Sequence, residues 1–91
     1  MADSEPLHAY LEQTVILDTQ GPLIYIGTLR GVTEAYLVLH DADVHDSNDS
    51  RATKDLYLAE TRTLGVRVNR GKVLVMRQQI ASISLLHEVV D

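Results

Sequence analysis

Arg77, Gln78 and Gln79 form a short polar segment between two apolar runs near the end of the sequence. A guanidinium carries five N–H donors in a planar fork, and an amide offers both donors and an acceptor. Such groups can hold phosphates, stack on nucleobases or hydrogen-bond to base edges. An arginine at a corner between strands can also form an exposed ion pair, which contributes little to stability. The residue types leave both interpretations open.

A second group with binding chemistry precedes the middle of the chain, at Thr33, Glu34 and Tyr36. Tyr36 could provide a stacking surface for an unpaired base. It could equally be a half-buried strand residue with a hydrated hydroxyl. The carboxylate of Glu34 would repel a phosphate unless it pairs with Arg77 or Arg30.

The run His40–Asp46 collects imidazole and carboxylate groups of the kind that bind divalent metals. Along an extended strand, Asp41, Asp43 and His45 lie on one face, and His40 lies on the other. A three-ligand set would therefore form only if the strand continued to His45. We favour a strand that ends in a solvated acidic loop, and we predict neither a metal site nor a cofactor.

Four basic residues lie close together in the sequence: Arg62, Arg67, Arg70 and Lys72. They could complement the C-terminal end of a helix or contact phosphates. The histidines are scattered, and no nucleophile–base arrangement or glycine-rich phosphate loop is present. We therefore predict that the protein is not an enzyme.

The composition limits the protein to one small domain. A chain of 91 residues buries only about 60–65% of its unfolded surface, so self-association is a natural source of additional stability. There is no cysteine, which excludes disulfides and thiolate metal sites. The net charge of −5 argues against broad polyanion binding but allows a small basic site. No signal-peptide pattern and no apolar run near 18 residues is present, so we expect a soluble, cytoplasmic protein without a membrane partner.

The elements that would position these residues are mostly strands. A short helix is predicted over residues 4–12, because Leu7, Tyr10 and Leu11 follow helical spacing. A second helix is predicted over residues 50–64, with Asp49 or Ser50 as N-cap, Gly65 as C-cap, and an apolar side made of Ala52, Leu56, Ala59 and Thr63. Residues 66–72 are expected to form a connector. Alternating or β-branched runs predict five strands, at 14–19, 22–31, 34–44, 73–76 and 79–86.

Five short strands in a chain of this size cannot easily form a two-layer sandwich. The economical solution is a mainly β, SH3-like, strongly bent five-stranded barrel with an N-terminal and an inserted helix. Gly27, in the middle of the second strand, is expected to mark a bulge or bend.

Two sequence motifs add a family resemblance. The first is Val15, Leu17 and Gly21, then Gly27-x-Leu29, then Leu37-x-Leu39-x-Asp41-Ala42; the second spans 73–83. In these motifs the chain resembles the Sm-like (LSm and Hfq-type) proteins, as a divergent member with a helical insertion between the third and fourth strands. The match covers roughly residues 4–30, 34–44 and 73–84.

The resemblance implies a homo-oligomeric ring of six or seven subunits, in which the fourth strand of one copy pairs with the fifth strand of the next. It also implies single-stranded RNA binding at the pore through Arg77, Gln78, Tyr36, Thr33 and Glu34. The alternative is a structural or protein-interaction module, without RNA, whose 50–64 helix docks a partner. The net charge favours this alternative, as do two departures from the family pattern: residues 32–36 contain no asparagine, and Gln78 replaces a glycine.

Overall fold

The computed structural model describes residues 6–48 and 53–90. In chain order, the elements are a 3₁₀ helix Pro6–Tyr10, β1 Thr14–Thr19, β2 Leu23–Val32, β3 Tyr36–Asp46, α1 Lys54–Leu64, β4 Arg70–Met76, a 3₁₀ turn Arg77–Gln79, β5 Ile80–Leu85 and a 3₁₀ turn Leu86–Glu88. No helix in the described ranges has the length and apolar character needed to cross a membrane.

The five strands form one antiparallel sheet in the order β4-β3-β2-β1-β5. Only Arg77–Gln79 connects β4 to β5, although these strands lie at opposite edges of the sheet. In a flat sheet, four strand spacings would separate the edges by about 19 Å. A three-residue connection spans at most about 14 Å, so the sheet must curve until its edges approach each other. The predicted bent barrel is confirmed.

One bend of the sheet lies where Gly27 of β2 faces β3. The pairing register shifts between Ile26 and Thr28, as expected at a bulge. A Cβ added to Gly27 would lie 3.0 Å from Cβ of Ala42 and 3.1 Å from the carbonyl oxygen of His40. Opposite, Asp41 adopts a left-handed conformation with a φ of 51°. The bend predicted at Gly27 is confirmed, and it depends on this close approach of two backbones.

The main core fills the inside of the curved sheet. Leu37 and Leu39 are buried there, as the alternation of β3 predicts. Leu7, Tyr10 and Leu11 pack against one side of this core from the N-terminal segment. The remaining buried members are Val15, Leu17, Leu29, Ala42, Val75 and Leu85.

A second apolar cluster lies on the opposite face of β1 and β2. Ile16, Ile24 and Ile26 are buried with Leu86. They are covered by Tyr57 and Leu58 of α1 and by Val66 and Val89. The inserted helix therefore covers the outside of the barrel, which explains why β2 is apolar on both faces.

The N-terminal helix differs from the prediction over residues 4–12. The structure shows a 3₁₀ helix Pro6–Tyr10, and residues 4 and 5 lie outside the described residues. The amide of Leu11 donates to the carbonyl of His8 (3.2 Å), which is the i→i−3 spacing of a 3₁₀ helix. The helix cannot extend because Glu12 has a φ of 66° and β1 begins at Thr14.

The inserted helix begins later than predicted and buries a different side. Its N-cap is Thr53, whose Oγ1 accepts from the amide of Leu56 (3.1 Å); Asp49, Ser50 and Ala52 lie outside the described residues. The predicted C-cap is confirmed, because Gly65 has a φ of 96° and its amide donates to the carbonyl of Thr61 (2.8 Å). The predicted apolar side was wrong: Tyr57, Leu58 and Thr61 face the sheet, and Leu56 is 51% exposed. Both sides carry a leucine and a threonine, but the tyrosine of the observed side buries more apolar area than an alanine of the predicted side.

The connector predicted over residues 66–72 is shorter in the structure. Strand β4 begins at Arg70, because Arg70 pairs with Ala42 and Lys72 pairs with His40. Both partners belong to β3, which runs through His45 to Asp46. His40 and Ala42 already lay within the predicted third strand, so β4 is longer because residues assigned to the connector pair with that strand.

Candidate functional site

The loop between β2 and β3 is shaped by Thr33. Its Oγ1 accepts hydrogen bonds from the amides of Ala35 (3.1 Å) and Tyr36 (2.9 Å), and its own amide donates to the carbonyl of Tyr36 (2.9 Å). A threonine hydroxyl that bonds to the following backbone is a local turn motif. It leaves Glu34 and Ala35 exposed at the tip of the loop.

The Arg77–Gln79 turn is attached to this loop through Arg77. The amide of Arg77 donates to the carbonyl of Ala35 (2.9 Å), and its Nη1 donates to the carbonyl of Thr33 (2.9 Å). The fold therefore brings together two segments that the sequence separates by more than forty positions.

The other end of the turn is held by Gln20, which sequence reasoning missed. The amide of Gln20 donates to the carbonyl of Gln79 (3.0 Å), and its Nε2 donates to the carbonyl of Gln78 (3.2 Å). Gln20 follows Thr19, which pairs with Ile80 of β5. That pairing joins segments that are distant in the sequence. The sequence indicated only a turn at Gln20-Gly21-Pro22 and gave no sign that Gln20 contacts Gln78 and Gln79.

A cavity of about 270 Å³ lies where the loop and the turn meet. Beside it, Tyr36 is the cross-strand partner of Met76, so their side chains are neighbours on one face of the sheet. We call this region the loop–turn site. The cavity is lined by Glu34, Ala35, Met76, Arg77 and Gln78.

All five residues predicted to bind a ligand belong to the loop–turn site or shape it. Glu34, Arg77 and Gln78 line the cavity, Thr33 fixes the loop, and Tyr36 lies beside Met76. Met76 itself is 41% exposed and was not predicted. Side chains alternate along a strand, so the burial of Val75 would have predicted that Met76 lies on the surface.

The His–Asp run forms a different kind of polar group. Asp43 is only 7% exposed, and its carboxylate accepts from the Tyr57 hydroxyl (2.5 Å) and from Nδ2 of Asn69 (3.0 Å). The ring of His45 stacks on the ring of Tyr57, with centroids 3.9 Å apart and planes inclined by 12°. We call these four residues the β3–α1 cluster.

Asn69, the residue just before β4, also bonds to the edge of β3. Its Oδ1 accepts from the amide of Val44 (3.0 Å), and its Nδ2 donates to the carbonyl of Val44 (3.2 Å). Its own amide donates to the carbonyl of Ala42 (2.9 Å). One side-chain amide thus replaces a strand residue in the ladder, and the same nitrogen reaches Asp43.

The electrostatics of the β3–α1 cluster keep Tyr57 protonated. Burial raises the pKa of Tyr57 well above its ordinary value, and the hydrogen bond to Asp43 and the charge of that carboxylate raise the pKa further. The hydroxyl therefore remains a donor throughout the physiological pH range.

The β3–α1 cluster is not arranged around a metal. Strand β3 does continue to His45, the condition for a three-ligand set, but Asp43 points at Tyr57 and Asn69. Asp41 is exposed at the bulge. Within 6–48 and 53–90, no group of three acidic or histidine side chains could hold a metal ion.

Two of the four basic residues singled out by the sequence bind main-chain carbonyls. Nη1 of Arg62 donates to Val89 (2.7 Å), and Nη1 of Arg70 donates to Asn69 (2.9 Å). Arg67 lines a depression beside Asp43 and Glu60, and Lys72 lies exposed on β4. For Arg62 and Arg70, hydrogen bonds to the backbone give a structural reason for the basic side chain.

The architecture defines the class of fold. A short N-terminal helix, a five-stranded antiparallel sheet in the order β4-β3-β2-β1-β5 and a 3₁₀ turn that joins the edge strands together form the Sm-like fold. The fold predicted from the two motifs is confirmed by comparison with solved structures.

The chain is similar to the Sm protein of Pyrococcus abyssii, solved in complex with a uridine heptamer: identity is 20%, the match covers 90% of this chain and 99% of that one, and the TM-score is 0.62. It is also similar to a chain of the NatC complex bound to CoA (20% identity, 91% and 87% coverage, TM-score 0.58). A chain of the NatC complex bound to Gag peptide and CoA gives 20% identity, 87% and 89% coverage and a TM-score of 0.57. No protein-family model matches the sequence, and the search of curated proteins gives no significant match.

Proposed function

We propose that this chain is a non-catalytic, ring-forming Sm-like protein that binds single-stranded RNA at the loop–turn site. The observation that carries the proposal is the attachment of Arg77 to the Thr33 loop. It places a guanidinium, an amide and the exposed Met76 around one cavity, with Tyr36 beside Met76. These are groups that bind phosphates, base edges and base faces.

The two sheet edges support assembly into a ring. Within the described residues, β4 pairs only with β3, and β5 pairs only with β1. Unpaired edges readily accept another strand, and β4 also exposes Leu74 (45%) and Met76 (41%). Pairing β4 of one copy with β5 of the next would satisfy both edges and repeat the loop–turn site around the assembly.

A titration of labelled oligonucleotides tests the RNA site. We expect oligo-U or oligo-A to raise the fluorescence polarisation with affinities that weaken as salt increases. Arg77→Ala should weaken binding by about 10- to 100-fold. Arg70→Ala is the matched control, because it removes the same charge from the opposite end of β4 and should change affinity by less than about threefold. Absence of binding at low salt, or equal losses in the two variants, would overturn the RNA proposal.

Native mass spectrometry tests the ring separately. We expect a closed homo-oligomer of six or seven copies, and a protein that remains strictly monomeric at micromolar concentration would refute the assembly. Measuring the oligomer in Arg77→Ala as well distinguishes a lost RNA contact from a lost ring.

A second candidate function is a protein-interaction module without RNA. It is supported by the exposed leucines of α1, Leu56 (51%) and Leu64 (76%), and by the similarity to chains of the NatC complex. A ring that binds neither oligonucleotide would favour this function over the first. Loss of a protein partner in Leu56→Glu, with an unchanged oligomer, would support it directly.

A further inference from the structure

Glu34 is the acidic member of the loop–turn site. It is exposed at the tip of the Thr33 loop and lines the same cavity as Arg77 and Gln78. In the described part of the chain, its carboxylate has no hydrogen-bond or ion-pair partner, whereas the backbone around it is fixed by Thr33. A carboxylate that extends from a fixed backbone and lies at the surface is available to a ligand.

The chemistry of a carboxylate discriminates between bases. It only accepts hydrogen bonds, so it needs donors on the base. The Watson–Crick edge of guanine presents two adjacent donors, N1–H and N2–H, which a carboxylate can accept together. The edge of uracil presents one N–H between two carbonyl oxygens, and those oxygens would be repelled.

Gln78 supplies the complementary donor. Its carbonyl accepts from Nε2 of Gln20, which fixes its backbone. Its side chain is exposed at the cavity and is without a bonding partner within 6–48 and 53–90. An amide N–H can reach O6, the remaining acceptor on the guanine edge. The neighbouring Met76 and Tyr36 provide apolar surface against which the base can lie.

We infer that Glu34 makes the loop–turn site selective for guanine over uracil, so the preferred ligand is guanine-containing single-stranded RNA rather than a uridine tract. This inference rests on the RNA-binding function proposed above. It assigns to the acidic residue a role in specificity, which offsets its repulsion of the phosphate backbone.

The test compares the labelled hexamers GAGAGA, UAUAUA and AAAAAA, which avoid guanine runs. We expect the wild-type protein to bind GAGAGA about tenfold more tightly than UAUAUA. Glu34→Gln keeps the size of the side chain, but its amide has one acceptor oxygen and cannot accept both N–H groups of guanine. The ratio of the affinities for GAGAGA and UAUAUA should therefore fall to about twofold or less. The same variant should bind UAUAUA more tightly, because a negative charge has been removed.

Glu60→Gln is the matched control, since it removes the same charge from the exposed side of α1 and should leave the ratio unchanged. Equal affinity of the wild-type protein for GAGAGA and UAUAUA would overturn the inference, as would an unchanged ratio in Glu34→Gln. Both of these outcomes leave RNA binding intact. If no hexamer binds the wild-type protein, the proposed function itself fails, and the inference fails with it.

Discussion

The two polar groups of this molecule, the loop–turn site and the β3–α1 cluster, are built in opposite ways. In the cluster, side chains bind one another: Tyr57 and Asn69 both donate to Asp43, and His45 covers Tyr57. In the loop–turn site, the side chains of Thr33, Arg77 and Gln20 bond to backbone groups, whereas Glu34 and Gln78 remain at the surface. The first arrangement satisfies its own hydrogen bonds, whereas the second leaves polar side chains to meet a ligand.

Under the proposed function, this difference separates structural from ligand-binding polar residues better than residue type does. Histidine and aspartate are typical of metal and catalytic sites, yet here they tie α1 and the residues before β4 to β3. Every buried side-chain nitrogen and oxygen in 6–48 and 53–90 has a hydrogen-bond partner. Asp43 is the buried member of the β3–α1 cluster, and its hydrogen bonds satisfy the carboxylate as burial requires.

The largest expected effect comes from removing the centre of the β3–α1 cluster. Asp43→Ala should lower the free energy of unfolding by about 2–4 kcal/mol, because the part-buried Tyr57 hydroxyl loses its acceptor and Nδ2 of Asn69 loses one of its two acceptors. Urea denaturation measures this loss, and the exposed Glu60→Ala should change stability by less than about 0.5 kcal/mol. RNA affinity per folded molecule should not change. A large loss of affinity with little loss of stability would reverse the roles we assign to the two groups.

A smaller effect is expected at Tyr57, and it carries a pH signature. Tyr57→Phe keeps the ring beside His45 but removes the donor to Asp43, so it should cost about 1–2 kcal/mol of unfolding free energy. In the wild-type protein the pKa of Tyr57 is raised by burial and by Asp43. Below pH 10 both states keep this proton; at higher pH the unfolded chain loses it first, so the stabilisation declines as pH rises.

Urea denaturation at pH 8, 9.5 and 10.5 compares the two proteins. The free energy of unfolding of the wild-type protein should fall over this range more steeply than that of Tyr57→Phe, in which the group is absent. Parallel declines would contradict the raised pKa that burial and Asp43 give to Tyr57.

The smallest expected effect on stability lies in the loop–turn site. Thr33→Val keeps the shape of the side chain but removes the hydroxyl that accepts from Ala35 and Tyr36. We expect a loss of about 0.5–1.5 kcal/mol, together with a several-fold weaker RNA affinity, because the loop is no longer fixed. Thr33→Ser should restore both properties. Weakened stability with unchanged RNA affinity would separate the loop geometry from binding.

Much of the fold could be predicted from local pattern. Alternation placed Leu37 and Leu39 in the core, Gly27 marked the bend, and Gly65 ended α1. The buried side of α1 could not be predicted, because it depends on Ile24 and Ile26, whose outward side chains needed a cover. The beginning of β4 at Arg70 likewise depended on pairing with distant Ala42.

The candidate site was predictable to a similar degree. Arg77 and Thr33 came from the family resemblance, and the fold brings their segments together. Gln20 could not be found, because its contacts with Gln78 and Gln79 cross from one end of the chain to the other. The structural role of Asp43 was also hidden, since its partners lie 14 and 26 positions away. Interactions of this kind become visible only when the sheet has closed.

The double attachment of the Arg77–Gln79 turn has a geometrical consequence for any assembly. Because Arg77 is bound to the Thr33 loop and Gln79 is bound to Gln20, the directions of the two open edges are fixed relative to each other. Each subunit then acts as a wedge, and the angle of the wedge determines the polygon that identical copies can close. A hexagon requires a rotation of about 60° per copy and a heptagon about 51°. In such a ring, an adjustment of about 9° per copy at this turn would change the number of subunits, and mutations at Gln20 would reveal it as a change in the mass of the assembly.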